Sequence, residues 1–335
     1  MAAAQVSIIR RLGALLGPLL GLVVVYAIFG IADRLLADRP EDALFFTVET
    51  VQKILRDASL VGVAALGMTL IVISGGIDLS AGAAISLCAT VTAWFFREDY
   101  GTAAALTAGL LTGCGTGLLN GLLINGLRVV PFIATLGTMT MFFGLGLILS
   151  DDTPIRAFGK APDWVLNLQT PYPIPDWLGV SSGVWVMFIL SVLTAIVLRF
   201  TVFGRRIIAI GSNEEAAHLC GVRVSRVRVL VYTLAGVFVG VAGLFQFAIL
   251  NGEGDPKAGM GKELEIIAAV VIGGASLNGG RGSILGTLSG AIVMTTILNG
   301  CVTLEIPTSY QKVILGAIII AAVTLDQWRQ RRSGV

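Results

Sequence analysis

Two glycine-rich turns interrupt the apolar runs of this chain, 75–80 (GGIDLS) and 273–283 (GGASLNGGRGS). Glycines at that density can cradle a phosphate, but a phosphate loop also needs a lysine and a hydroxyl residue after them, in the arrangement G-x-x-x-x-G-K-[ST]. Neither turn has the lysine. The two Gly-Lys pairs, Gly159–Lys160 and Gly261–Lys262, continue with Ala and Glu. The sequence therefore carries no recognisable nucleotide site, no cofactor is expected on it, and energy for any work it does has to come from elsewhere. His218 is the single histidine and has no acid or serine set around it in a catalytic pattern. Cys88, Cys114, Cys220 and Cys301 have neither zinc spacing nor disulfide density. No metal site and no enzyme constellation is expected.

The remaining polar groups suit passage of a solute rather than its conversion. Asp78 sits between two apolar runs; an acid at membrane depth is expensive and a functional candidate, while capping of the next helix by Asp78 or Ser80 is the plainer use. Asn120, Asn125, Thr135, Thr138 and Asn278 supply amides and hydroxyls in or beside apolar segments. They could line a pathway for a neutral polyol, or each could satisfy a neighbouring helix. Gly109, Gly113, Gly117 and Gly121 recur every fourth residue, a smooth helical stripe that serves either internal packing or a seam with a second copy.

The segment 199–226 is rich in Arg. Ser212 followed by Glu215 reads as a capping box and Gly221 as a helix-terminating glycine, so a short helix is expected over 213–220, with Glu214 and Glu215 in its first turn. Flanked by basic arms, it suits a docking element held near anionic lipid, or an ordinary loop helix.

The elements that must position these residues are membrane spans. The chain has 335 residues, 55% hydrophobic and 13% charged, at net charge +2 and mean hydropathy +0.87. That is too apolar for a soluble domain and lacks the basic run that would attract nucleic acid. Apolar stretches near the ~20 residues a helix needs to cross a bilayer fall at 12–31, 50–73, 79–96, 102–124, 131–149, 183–200, 227–250, 264–277, 284–303 and 309–326. The span at 12–31 follows Arg10 and Arg11 and is read as retained, not as a cleaved signal. The one at 50–73 begins with Lys53, Arg56 and Asp57 and could be interfacial; the one at 264–277 is short. The expected fold is an all-α membrane protein of about ten transmembrane helices forming a single transmembrane domain, 1–335. With both termini in the cytoplasm, that side holds more than half of the 23 basic residues but only four of the 21 acids (Asp78, Glu214, Glu215, Asp326). The Arg-rich loop 199–226 is then cytoplasmic. The Pro- and Trp-rich loop 150–182 is an extracytoplasmic cap, where Pro154, Pro162, Pro171, Pro173 and Pro175 prevent long helices.

Glu215, Ala216, Ala217 and Gly221 match the E-A-A-x-x-x-G loop by which permease subunits of bacterial ABC importers contact their ATPases, although the Ile-x-Leu-Pro continuation is absent at Val231–Leu234. GMTLIVISGGIDLS at 67–80, PFIATLGTMT from Pro131, GRRIIAIGSNEEAAHLCGV and IAAVVIGGASLNGGRG at 267–282 resemble the signature segments of ribose-type monosaccharide ABC permeases. That resemblance implies a multi-pass subunit of the bacterial inner membrane, paired with a second copy or homologue, two ATP-binding cassette subunits and a periplasmic sugar-binding protein. Coupling would then fall on Ser212, Glu214, Glu215, Ala216, Ala217 and Gly221. An ion-gradient-driven secondary transporter is the competing reading; it needs intramembrane acids, and here only Asp78 qualifies.

Overall fold

The helix placed at 50–73, whose charged start suggested the membrane surface, is the centre of the bundle. The computed structural model describes residues 20–37, 43–157, 159–170 and 179–332, without the side chains of 325, 326 and 329–332. Residues 12–19, Arg10, Arg11, Pro171, Pro173 and Pro175 lie outside that set. After a helix over 20–36 (α1) come α2 (Val48–Ile73), α3 (Ala81–Arg97), α4 (Thr102–Gly126) and α5 (Pro131–Ser150). A two-residue strand β1 (Ile155–Arg156) and a short α6 (Asp163–Leu166) precede α7 (Ser182–Phe200), α8 (Val202–Ser212), α9 (Glu214–Leu219) and α10 (Val224–Ile249). Strand β2 (Glu253–Gly254), α11 (Lys262–Ile272), α12 (Ile284–Thr303) and α13 (Thr308–Arg332) complete the described chain.

Six of these helices, α2, α4, α5, α7, α10 and α12, are long and apolar enough to cross a membrane, and α3 and 308–324 are shorter apolar helices. The all-α membrane fold expected from the apolar runs is what the chain adopts. Helix α2 is buried on every side from Ala58 to Ile73, as an apolar helix without a polar face must be when it sits inside a bundle. Its charges are accommodated locally: Arg56 donates to Asp57 Oδ1 at 2.8 Å, and Asn299 of α12 donates to Asp57 Oδ2 at 3.0 Å. By contrast α5 and α7 expose large apolar side chains such as Ile133, Ile148, Phe188 and Leu193, the surface a lipid-facing helix presents.

The fourfold-spaced glycines of α4 face α10. A methyl group on Gly113 would come within 2.6 Å of Gly240 Cα, and one on Gly117 within 2.9 Å of Gly236 Cα, so the two backbones touch. Gly121 lies against Val229 of the same helix, and Gly109 against Leu244 of α10 and Thr92 of α3. Close backbone approach of this kind gives a membrane bundle its packing attraction where no hydrophobic effect operates between helices.

Helix α11 ends at Ile272, short of the 264–277 span, because Gly274 takes φ +84° and Ala275 N–H returns to Val270 O at 3.1 Å. Helix α2 ends in the same way: Gly75 takes φ +84° and Gly76 N–H returns to Ile71 O at 3.0 Å. Both are left-handed glycine terminations that satisfy the last carbonyls and turn the chain sharply. Strand β1 pairs antiparallel with β2, Ile155 opposite Gly254, joining the segment after α5 to the one after α10.

Candidate functional site

The loop 199–226 contains two helices where one was expected. In α8 the spacing of Gly204, Ile207 and Ile210 buries one face while Arg205 and Arg206 stay in solvent, an amphipathic pattern that three-residue spacing produces. Ser212 is the last residue of α8, its hydroxyl donating back to Ile208 O at 2.8 Å, so it does not cap the next helix. Asn213 does: it leaves helical geometry at φ −161°, and its Oδ1 accepts from Ala216 N–H at 2.9 Å. Asn caps as well as Ser, and the turn out of α8 brings the residue after Ser212 into the capping position. Gly221 has φ +81°, and Val222 N–H returns to Ala217 O at 3.0 Å, closing α9. Of α9 only Ala217 is buried; Glu215, Ala216 and His218 are exposed, and Leu219 is 86% exposed.

The end of α8 enters the bundle at the two glycine turns. Gly211 packs against Ile73 O, and a methyl group on it would lie 2.6 Å from Gly280 N. Gly279 would likewise meet Gly211 O at 2.6 Å and Gly75 Cα at 3.1 Å, and Gly280 N–H donates to Ile73 O at 2.8 Å. Three segments far apart in sequence therefore meet backbone to backbone at one end of α2. Gly211 was not singled out from the sequence; its signal was its place one residue beyond the buried Ile207–Ile210 face.

Beside this junction the structure brings together four of the six residues marked for a pathway. Asp78 Oδ1 accepts from Ser80 N–H at 2.8 Å and from the Ser80 hydroxyl at 2.6 Å. Asn120 of α4 donates to Ser80 Oγ at 2.8 Å, and its Oδ1 accepts from Thr138 of α5 at 2.6 Å. Thr135 Oγ1 accepts from Leu79 N–H at 3.1 Å. All are buried, so amide and hydroxyl groups are joined into one network, which is how polar groups persist in a bundle core. Ser80 is the residue flanking α3, and it has no side-chain cap bond; Asp78 instead braces the turn that precedes it. Asn125 stands apart and bonds its own helix at Gly121 O, and Asn278 is exposed on the second glycine turn. Tyr232 of α10, unmarked by the sequence reading, reaches Ile77 O with its hydroxyl at 3.3 Å.

Asp78 is not the only acid within the bundle. Asp57 of α2, marked in the sequence only as part of that helix's charged start, and Glu265 of α11, not marked at all, line a partly open cavity beside the middle of α2. Among the described residues no group of three or more His, Cys, Asp or Glu could hold a metal ion.

The described chain is thus a multi-pass helical bundle with a helical loop wedged into its glycine turns. Residues 50–323 match the family described as branched-chain amino acid transport system / permease component, and the chain belongs to that permease family. It is 38% identical to the ribose import permease protein of Bacillus subtilis (strain 168) over 93% of this chain and 92% of that protein. It is 33% identical to the L-arabinose ABC transporter permease protein of Azospirillum brasilense, over 86% and 84% of the two chains. It is 30% identical to the autoinducer 2 import system permease protein of Photorhabdus luminescens, over 91% and 88%. No solved structure matches the chain.

Proposed function

We propose that this chain is the membrane-spanning subunit of an ABC importer, forming the pathway for a neutral monosaccharide or related small polyol in the bacterial inner membrane. The observation that carries this is the near full-length similarity to permeases named for ribose and arabinose import. ATP hydrolysis then resides on ATP-binding cassette subunits, a periplasmic sugar-binding protein delivers the solute, and a second permease copy or homologue completes the pore. No cofactor is required on this chain.

The coupling element is the pair α8 and α9, in the cytoplasmic loop 199–226. Its exposed face, Glu215, Ala216 and Leu219, is where an ATPase subunit would dock. Movement of this pair acts through Gly211 on both glycine turns together, since backbone contact leaves no side chain to absorb it. The turns in turn position α3 and α12. The buried network of Asp78, Asn120, Thr135 and Thr138 keeps α3, α4 and α5 moving as one body. Loop 150–182 forms the opposite, extracytoplasmic cap.

The test is uptake in membrane vesicles carrying the permease with the ATPase and binding protein of its own operon. Sugar uptake that requires ATP and is lost in Glu215→Lys, with insertion intact, is the expected result. Uptake that follows a proton or sodium gradient without ATP would overturn it in favour of a secondary transporter.

A further inference from the structure

We infer that the cavity between α2, α10, α11 and α12 is a sugar-accepting site on the import route, an inference that rests on the function proposed above. The cavity measures about 240 Å³, several times the ~30 Å³ share of one liquid water and of the order of a single small sugar. Asp57, Gln246, Lys262, Glu265, Thr295 and Asn299 line it, with aliphatic side chains of α2, α10 and α12 between them. Gln246 is 4% exposed, and its side-chain oxygen Oε1 has no hydrogen-bond partner. A buried amide oxygen left unpaired is destabilising, a defect that a ligand hydroxyl donating to it removes.

The chemistry of the wall selects the ligand class. Asn299 uses its amide hydrogens on Asp57 Oδ2 and Thr295 O, both at 3.0 Å, which leaves its carbonyl oxygen to accept. Thr295 donates its hydroxyl to Ala291 O at 3.0 Å and keeps its lone pairs. With Gln246 Oε1 and the Glu265 carboxylate the site is rich in acceptors, so it suits a ligand with several donors. Asp57 is already paired with Arg56, and Lys262 stands at the wall, so the site does not favour a cation. A polyhydroxyl ligand meets these demands: hydroxyls for the acceptors, C–H faces for the aliphatic wall.

Its position fits the route. Gln246 and Ile249 lie in the last turn of α10, at the end opposite its first residue Val224, which follows the α8–α9 loop. The cavity therefore lies toward the face away from the α8–α9 loop, where solute arrives.

The test uses the assembled complex in proteoliposomes with tritiated D-ribose and L-arabinose. Gln246→Leu and Thr295→Val are expected to lower uptake at least tenfold while the ATPase subunits still co-purify. Gln246→Asn, which withdraws the amide by one methylene, is expected to change the ratio of the two sugars' rates, a readout that a merely structural role would not move. Wild-type uptake with unchanged rates and ratio in all three variants overturns the site and leaves the importer reading standing. If the ATPase is active but wild type carries no neutral sugar, the importer reading falls and the inference with it.

Discussion

Arg228 of α10 donates to the carboxylate of Glu214 in α9 at 2.6 Å, tying the exposed short helix α9 to a helix that crosses the bundle. Glu214 is half exposed, so the pair contributes little to folding, within about 1 kcal/mol. As a strut it matters more. Arg228→Gln is expected to leave the thermal midpoint within a few degrees of wild type and to cut ATP-driven uptake several-fold. The exchange Glu214→Arg with Arg228→Glu is expected to restore part of the loss, the coupling that a double-mutant cycle reads. Additive losses would show that Glu214 acts on the ATPase alone.

Asn120→Leu removes the group that joins Ser80 to Thr138, leaving buried hydroxyls with fewer partners. The expected loss is about 1–3 kcal/mol, read as a lower midpoint of heat-induced aggregation in detergent. Asn120→Asp is expected to be worse, because it sets a second carboxylate 3.5 Å from Asp78 Oδ1, where the amide now donates.

Gly117→Ala and Gly115→Ala make a matched pair on α4. The first drives a methyl group into Gly236 of α10; the second meets nothing within 4 Å. Gly117→Ala is expected to destabilise by about 1–3 kcal/mol through overpacking. Gly115→Ala is expected to be neutral or to stabilise by up to ~1 kcal/mol through helix propensity. Equal midpoints for both would contradict the α4–α10 contact.

Asn213→Ala is expected to destabilise α9 by about 0.5–2 kcal/mol, seen as faster amide exchange in 214–219. Ser212→Ala should leave that exchange unchanged, since its hydroxyl bonds within α8. The reverse ranking would favour Ser212 as the cap.

The difference of one residue at that cap illustrates what could be read from the amino acids. The spans were legible because a bilayer demands long apolar runs, and a run such as 131–149 admits little else. Asp78, Asn120 and Thr138 were conspicuous as polar groups in apolar surroundings, but nothing local says that three separate segments share one network. Gly211 was silent for the same reason: its importance is the backbone of Ile73 and Gly280, which tertiary packing alone brings close. Charge misled at α2, where Arg56 and Asp57 suggested the surface but neutralise each other within the bundle. Helix α8 was missed because its arginines drew attention from the Gly204, Ile207 and Ile210 spacing beneath them.

The α4–α10 contact also sets a schedule for synthesis. Roughly 100 residues of chain separate the end of α4 at Gly126 from the start of α10 at Val224. At translation rates of about 5–20 residues per second, the smooth face of α4 waits roughly 5–20 s in the membrane before its partner has been made. During that interval the stripe is open to any small-faced helix, including that of another nascent chain. The period of greatest vulnerability for this protein thus falls on the ribosome, and substitutions that slow delivery of α10 should harm yield more than the finished fold would suggest.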